Sequence, residues 1–301
     1  MIIIKISGGL GNQLFQYAFG KALQQRRNIQ VKIDTSSFKQ KSGITPRQFL
    51  LDRFNISLEI ATCDDFKKIR VPYPADKTIK ENIYRIIFKI QESFRTNSTR
   101  KIIVDHRLNF NKSMFNISDN SYVSGVWTNE KYFKDISNIL KNEFTPKFTF
   151  SNETQNLLSQ INTKNSVSVH IRRGDYLKYA HKFKILSDQY YKDAIKLMNE
   201  KEIGSRFFVF SDDIDYVKSK YADIFGRDTV YVSRLNITDY EEIWLMSRCK
   251  HNIIANSTFS WWGAWLNNNS QKIIVAPDQY RNDDKDTSDL MPLRWIRVKI
   301  D

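Results

Sequence analysis

The sequence feature that most constrains the fold is a regular alternation of strand and helix patterns through the second half of the chain. Short stretches rich in β-branched and aromatic residues are each followed by ten or so residues with helical periodicity. The predicted strands are 166–171, 206–210, 229–232, 252–255 and 272–275, and the predicted helices are 187–200, 215–225, 239–248 and 259–266. Alternation at this spacing predicts an α/β protein with a parallel, doubly wound sheet in its C-terminal half.

The first residues also form a strand–helix–strand pattern. Residues 1–6 are an apolar run typical of a buried strand, residues 14–27 have one apolar helical face, and residues 28–34 predict the next strand. The connection Ser7-Gly8-Gly9-Leu10-Gly11-Asn12-Gln13 lets backbone N–H groups and a helix N-terminus face an anion. The candidate ligands of a phosphate or sugar here are Gly9, Gly11, Asn12 and Gln13.

This connection does not fit a dinucleotide-binding fingerprint. That motif needs a third glycine near position 14, where Leu14 stands. Asp34 ends the second strand, as a ribose-binding acid would, but one acid is a weak signal. The pattern therefore disfavours an NAD enzyme.

Length and composition fit two globular domains. The chain has 301 residues, of which 41% are hydrophobic, so two domains with substantial cores are expected. Pro146 interrupts the pattern after a helix that ends near residue 143. We therefore expect one domain at 1–148 and a second at 149–301.

The formal net charge of +14 allows three interpretations: an anionic small ligand, an anionic surface, or a general lysine bias. Lysines are spread along the whole chain without a zinc-finger, RNP or basic-zipper motif, which argues against a nucleic-acid partner. Two cysteines without metal-like spacing, no signal-peptide pattern and no apolar run of about 20 residues predict a cytoplasmic protein.

The segment 78–94 has two interpretations. Its isoleucines recur at helical spacing, with lysines and arginines elsewhere on the same helix. The apolar face either packs on the core, which we favour, or rests on anionic lipid.

Charged and small polar residues follow most of the predicted strands of the second half. In an open α/β sheet these carboxyl ends form the ligand crevice. The candidates are His170, Arg172, Arg173, Asp175, Tyr176, Ser211, Asp212, Asp213, Ser233, Arg234, Asn256, Ser257 and Thr258. Arginines match phosphate oxygens, and a Ser257 or Thr258 cap would place helix N–H groups beside them. The sequence therefore predicts a pyrophosphate site.

Smaller roles can be assigned within this group. Gly174 is expected to allow a sharp turn, and Asp175 to orient an arginine. Asp212 or Asp213 could accept hydrogen bonds from a base or a ribose hydroxyl. Asp213 and Asp215 could instead hold a divalent metal, but the arginines make that metal redundant, so a helix N-cap is favoured. The aromatic run Phe259, Trp261, Trp262 and Trp265 is expected mainly to pack in the core.

Several blocks resemble the bacterial α-1,2-fucosyltransferases of glycosyltransferase family 11. The strongest are Gly8-Gly9-Leu10-Gly11-Asn12-Gln13-Leu14-Phe15-Gln16-Tyr17-Ala18, His170-Ile171-Arg172-Arg173-Gly174-Asp175-Tyr176, Phe210-Ser211-Asp212-Asp213 and Asn256-Ser257-Thr258-Phe259-Ser260-Trp261-Trp262-Gly263-Ala264. They occur in the family's order over nearly the full length.

The resemblance implies a GT-B-like fold, with two Rossmann-like domains facing each other across a cleft. It places the acceptor in the first domain and GDP-L-fucose in the second, and we expect the C-terminal tail to pack back on the first domain. The implied reaction is inverting and needs no metal or cofactor. It passes L-fucose from GDP-β-L-fucose to the 2-hydroxyl of a terminal galactose, in a glycan or lipid-linked oligosaccharide of surface polysaccharide or O-antigen synthesis. The basic helix at 78–94 would suit a lipid-linked acceptor at the inner face of the membrane. Phe259 and Ser260 join the donor site by this resemblance.

The chemistry of such a transfer suggests roles for individual residues. The β-phosphate gains charge as GDP leaves, and Arg172 is the first candidate to stabilise it. Asn12 is a second catalytic candidate, while Arg173 either assists or is held by Asp175. His170 braces the loop, contacts phosphate or is simply packed.

The acceptor side carries fewer signals. Glu130 and Asp175 are candidate bases for the acceptor hydroxyl, and Glu130 and Trp127 mark the acceptor side. The competing functions are a metal-dependent sugar-nucleotide transferase of another specificity and a non-catalytic nucleotide-sugar-binding protein.

Overall fold

The computed structural model describes residues 1–39, 47–75, 78–96, 99–178, 184–235, 237–282, 287 and 289–300, without the side chains of Asp175, Lys178 and Arg234. The chain divides into two compact units, Met1–Lys147 and Phe148–Asp301. Each unit is an α/β structure with a wholly parallel sheet among its described strands. The predicted α/β class with two Rossmann-like units is confirmed.

The first unit is built on a four-stranded sheet in the order β2-β1-β4-β3. These strands are β1 (Ile2–Lys5), β2 (Val31–Asp34), β3 (Ile102–Val104) and β4 (Ser121–Ser124). Helix α1 (Leu10–Arg27) joins β1 to β2 and is buried along most of its first four turns. The remaining helices of this unit are α2 (Cys63–Ile69), α3 (Ile79–Ser93) and α4 (Ser137–Glu143).

The second unit has a six-stranded sheet in the order β10-β9-β8-β5-β6-β7. Its strands are β5 (Asn165–Ile171), β6 (Ser205–Ser211), β7 (Val230–Tyr231), β8 (His251–Ile253), β9 (Ile274–Pro277) and β10 (Ile296–Val298). Its helices are α5 (Asn152–Thr163), α6 (Gly174–Lys178), α7 (Asp188–Lys201), α8 (Ile214–Phe225), α9 (Asp239–Arg248) and α10 (Thr258–Trp265). The predicted alternation is confirmed along the whole series.

Two elements of this unit differ from the prediction. The residues after the arginine pair form the short helix α6, which has no apolar period to reveal it. The series also does not close at β9, because tail residues Ile296–Val298 pair with β9 in parallel as β10. The expected packing of the tail on the first domain stays a prediction.

The strand order fixes where a ligand can enter each sheet. From β5 the chain winds outward through β6 to β7, then crosses to the other side of β5 with β8. The switch point therefore lies between β5 and β8, where α/β sheets open a crevice at the carboxyl ends. In the first sheet the equivalent switch lies between β1 and β4.

The aromatic run on α10 packs as expected. Trp261, Trp262 and Trp265 are at most 4% exposed, and the Trp261 ring lies against those of Trp262 and Trp295. The prediction that α3 packs its apolar face on the core is wrong, because Phe88 is the buried residue of this helix and its isoleucines are exposed. Within the described part of the chain, no helix combines the length and apolarity needed to cross a bilayer.

Candidate active site

The arginine pair leaves β5 at the switch point of the second sheet and is held by acids from the neighbouring strand β6. Arg172 Nη1 lies 3.0 Å from Asp212 Oδ2. The other oxygen of that carboxylate accepts a hydrogen bond from the Arg173 backbone N–H at 2.9 Å. Asp212 therefore fixes both the side chain of Arg172 and the path of the loop.

Arg173 is clamped between an acid and an aromatic ring. Its Nε lies 3.3 Å from Asp213 Oδ2, and its guanidinium carbon lies 3.3 Å from the centre of the Tyr216 ring. Asp213 also accepts from the Tyr216 backbone N–H as the N-cap of α8, which confirms the predicted cap. Asp212 and Asp213 thus hold the arginines, and their expected contact with a base or a ribose hydroxyl stays a prediction. The side chain of Asp175 lies outside the described atoms.

Gly174 is required for a close approach rather than for a sharp turn. It begins α6, and a Cβ built on it would lie 2.5 Å from Asp212 Oδ2. Any other residue would push the carboxylate away from Arg172. The expectation that Gly174 serves a turn is therefore corrected.

The loop after β8 forms the other side of the crevice. Ser257 caps α10 by accepting from the Phe259 N–H, so the predicted cap is confirmed and the helix N-terminus, with Thr258, opens at the switch point. Tyr176 joins the two sides, because its hydroxyl donates to the Asn256 carbonyl at 3.0 Å. Ser260 is buried, with its hydroxyl 3.5 Å from the carbonyl oxygens of Ala255 and Ser257.

The side chain of Asn256 connects the loop after β8 to two other segments of the second unit. Its side-chain amide donates to the carbonyls of Lys184 and Tyr280, while its buried Oδ1 has no hydrogen-bond partner in the structure. The residues after β9 thus reach the site too. Both Arg281 and Arg172 act electrostatically on Tyr280, although burial still raises the pKa of that phenol.

His170 is a packed neutral imidazole. It is 4% exposed, lies against the Phe259 ring at a centroid distance of 5.7 Å, and has a buried Nδ1 without a partner. Burial, with a smaller contribution from the Arg172 charge, lowers its pKa to about 3. Burial and the Phe259 contact therefore favour a packing role for His170 over a charged contact to phosphate.

A partly buried hydrogen-bond chain next to Asp212 and Asp213 was not predicted. The Ser211 N–H donates to Ser233 Oγ, which in turn donates to Glu242 Oε1 at 2.6 Å. Ser211 Oγ also accepts from the Asp213 N–H. Burial raises the pKa of Glu242 to about 7. Ser211 thus stabilises the backbone of the segment that carries Asp212 and Asp213.

In the first unit, α1 begins at Leu10, four residues earlier than predicted. Gly8 has φ +80°, and a Cβ on it would lie 3.0 Å from Asn12 Nδ2, so the Asn12 side chain folds over this glycine. Gly9 is the N-cap, and neither it nor the first turn supplies a capping or acidic side chain. Helix α1 thus opens at the switch point, with Gly11 in its first turn, as an anion site requires.

The Gln13 side chain does not face this site. It is 0% exposed, donates to the carbonyls of Gly8 and Gln48, and accepts from the Leu50 N–H. The prediction that the Gln13 side chain binds the donor is therefore wrong. This side chain instead supports the glycine loop, the connection at residues 7–13. Asp34 is equally occupied, by Ser36 and the Tyr122 hydroxyl, which removes the ribose-binding acid of the NAD alternative.

The expected acceptor-side residues are placed differently from each other. Trp127 is 1% exposed, stacks on Phe19 at 4.2 Å and closes over Gly125, so its ring is packed in the core and its acceptor-side role stays a prediction. Glu130 is partly exposed at the start of a 3₁₀ turn, Glu130–Tyr132.

The carboxyl ends of β3 and β4 hold further buried polar atoms, of which those of Asp105 and Thr128 have no counterpart in the sequence predictions. Asp105 Oδ2, Thr128 Oγ1 and Trp127 Nε1 are buried without hydrogen-bond partners in the structure. Asp105 directly follows β3 and donates its backbone N–H to the Ser124 carbonyl at the end of β4. Buried polar atoms are normally satisfied, so this edge is suited to a hydroxyl-rich ligand.

No group of three or more His, Cys, Asp or Glu side chains in the described part of the chain is arranged to hold a metal ion. The second unit instead offers guanidinium groups and a helix N-terminus at one switch point. Such a combination binds anions and can stabilise negative charge that develops on a leaving phosphate.

Comparison with known proteins identifies the family. The profile of glycosyl transferase family 11 matches residues 1–299. An α-1,2-colitosyltransferase of Escherichia coli is 34% identical over 99% of both chains, and the O-antigen biosynthesis glycosyltransferase WbnK of E. coli is 32% identical over 97% of this chain and 99% of its own.

Among solved structures, fucosyltransferase NodZ from Bradyrhizobium is 14% identical, with a TM-score of 0.44 over 87% of this chain and 91% of that one. The profile match and the two relatives along the full chain establish the family. The protein belongs to glycosyltransferase family 11.

Proposed function

We propose that this glycosyltransferase is an inverting, metal-independent enzyme that moves L-fucose from GDP-β-L-fucose to the 2-hydroxyl of a terminal galactose. The observation that carries the proposal is the arginine loop at the switch point of the second sheet, held by Asp212 and facing the N-terminus of α10. Both groups attract the diphosphate of a nucleotide sugar.

In this proposal Arg172 stabilises the negative charge that forms on the β-phosphate as GDP leaves. Arg173 is committed to Asp213 and Tyr216, so it shapes the loop. Arg172 is oriented by Asp212, and its guanidinium carbon lies 5.6 Å from the centre of the Tyr176 ring. A guanidinium oriented before the donor arrives stabilises a transition state better than one that must reorganise.

The proposed acceptor site lies at the carboxyl ends of the first sheet. Asp105 and Thr128 offer buried polar atoms to sugar hydroxyls, and the glycine loop with Asn12 offers a helix N-terminus. Asp105 joins Glu130 and Asp175 as a candidate base for the acceptor hydroxyl.

The name of the E. coli colitosyltransferase supports a second candidate donor. Colitose lacks the 3-hydroxyl of fucose, so the two GDP-sugars differ by one hydrogen-bonding group. A site that binds this hydroxyl rejects the deoxy sugar by about 10⁴-fold, whereas an apolar pocket discriminates by only about 10²-fold. The ratio of kcat/KM for the two donors therefore decides between them.

The experiment is a transfer assay with GDP-fucose and GDP-colitose against terminal galactosides of type 1, type 2 and lactose, with and without excess EDTA. We expect transfer from GDP-fucose at an undiminished rate in EDTA. Loss of activity in EDTA would instead support the metal-dependent transferase. Binding of GDP-fucose without transfer or hydrolysis would support the non-catalytic binding protein.

We place this reaction in surface-polysaccharide or O-antigen synthesis in the cytoplasm. The support is the full-length similarity to WbnK, an O-antigen glycosyltransferase by name. The test is the assay above with a lipid-linked O-antigen repeat as acceptor, for which we expect a higher kcat/KM than for lactose. A preference for lactose would contradict this placement.

A further inference from the structure

Helix α3 of the first unit turns an apolar face to solvent. Six large side chains are between 48 and 83% exposed: Ile79, Ile83, Ile86, Ile87, Ile90 and Phe94. At 100° per residue they occupy a single stripe about 100° wide. A soluble protein rarely exposes so many contiguous apolar side chains without a partner for them.

The opposite face of α3 is polar and attached to the unit. Glu92 accepts hydrogen bonds from the backbone N–H groups of Lys101 and Ile102, beside β3. Arg85 donates to the Tyr73 carbonyl, and Phe88 is the buried apolar contact. The helix is therefore inverted relative to an ordinary surface helix, which buries its apolar stripe.

The borders of the apolar stripe are basic. Lys80 and Lys89 are exposed on its two sides. The acids of the helix, Glu81 and Glu92, lie on the attached face, where each accepts hydrogen bonds from backbone N–H groups. An apolar stripe bordered by lysines matches a surface that is apolar inside and negative outside.

We propose that this face of α3 docks on an anionic phospholipid bilayer. A helix of 15 residues is about 22 Å long, so it can lie flat with its isoleucines among the acyl chains and Lys80 and Lys89 at the phosphates. A second copy of the chain fits this face less well, because pairing would bring like-charged borders together without an acid to oppose them. The inference is independent of the proposed donor and acceptor.

The test is flotation of the full chain with vesicles of phosphatidylcholine containing 30% phosphatidylglycerol, or of phosphatidylcholine alone, at low and high salt. We expect binding to the anionic vesicles that weakens as salt rises. The double variant Ile86→Gln/Ile90→Gln should lose at least about tenfold in partitioning. The matched control is Ile203→Gln/Leu293→Gln, at residues 93 and 92% exposed elsewhere, which should bind normally.

A charge variant gives a second arm. Lys80→Gln/Lys89→Gln should bind anionic vesicles several-fold more weakly, and Lys192→Gln/Lys196→Gln on α7 should not. Absence of wild-type binding at low salt, or unchanged binding of Ile86→Gln/Ile90→Gln, would overturn the proposal. A concentration-dependent dimer abolished by the same substitutions, without lipid binding, would overturn it in favour of self-association. Because the readout is vesicle binding, failure of the proposed transfer reaction leaves this result interpretable.

Discussion

At the scale of single residues, the two adjacent arginines have different environments because the register of β5 on β6 separates their partners. Ile171 lies opposite Ser211, so the following residues place Arg172 beside Asp212 and Arg173 beside Asp213. The second pair is further closed by Tyr216. The proposed function gives charge stabilisation to Arg172 and loop structure to Arg173.

Replacing Arg172 should remove most of the catalysis without unfolding the protein. We expect Arg172→Ala to lower kcat by about a hundredfold or more, because the charge on the leaving phosphate loses its stabiliser. The matched control is Arg206→Ala, which breaks an Arg–Asp pair at the other end of β6. Steady-state kinetics and thermal melts check both. A near-normal kcat for Arg172→Ala would remove it from the mechanism.

Gly174→Ala should impair the site through Asp212. The new methyl group would lie 2.5 Å from the carboxylate and displace it from Arg172. We expect donor KM to rise about tenfold or more, with a smaller effect on stability. Gly226→Ala is the control: its site has φ +83° and open space, so it should cost about 1 kcal/mol of stability without changing donor KM. Equal donor KM in both variants would contradict this role for Gly174.

His170 should make unfolding pH-dependent. Its pKa is about 3 when folded and about 6.5 when unfolded, so the unfolded chain binds the extra proton and stability falls as pH decreases below 6.5. Between pH 6.5 and 5.5 this group should lower the free energy of unfolding by about 1 kcal/mol. In urea titrations at pH 6.5 and 5.5, the free energy of unfolding should fall by about 1 kcal/mol more in the wild type than in His170→Gln. Equal pH dependence would show that His170 titrates normally.

At the scale of elements, the sequence predicts the location of the site better than the contacts between its side chains. Polar residues at strand ends and the cap at Ser257 follow from local pattern, and the structure has them at one switch point. The hydrogen bonds of Gln13 with Gln48 and Leu50 and the pairing of Asp212 with Arg172 join residues 35 or more positions apart. Local periodicity contains no information about such contacts.

Helix α3 shows the same limit. Its periodicity predicts a helix, which the structure confirms, but the pattern does not determine which face of the helix contacts the core. The deciding contacts, such as that of Glu92 with the start of β3, are tertiary. Asp105 was missed for a related reason, because one acid after a three-residue strand has no distinctive pattern.

Asp105→Asn tests the role of the β3 and β4 ends. If the carboxylate accepts a hydrogen bond from the acceptor sugar, its loss should raise acceptor KM by about ten- to a hundredfold and leave donor KM unchanged. Asp64→Asn, at an exposed acid on α2, is the control. Kinetics with both substrates varied separate the two constants. A selective change in donor KM would place Asp105 on the donor side instead.

At the scale of the whole molecule, the chain has two α/β units, and the parallel sheet of each unit has its own switch point. The second carries guanidinium groups and the N-terminus of α10, and the first carries a glycine loop and buried polar atoms without partners. This difference in chemistry supports the proposed donor role of the second unit and the proposed acceptor role of the first. The central claim of the proposed function is the metal-independent transfer of L-fucose to the 2-hydroxyl of a terminal galactose.

The most direct test is to determine the structure of the product. The purified protein is incubated with GDP-fucose and a terminal β-galactoside in excess EDTA, and the product linkage is assigned by NMR. We expect an α-1,2-linked fucose, formed at the same rate with and without EDTA and lost in Arg172→Ala. A different linkage, retention of the β configuration at fucose, or no transfer to any galactoside would contradict the account.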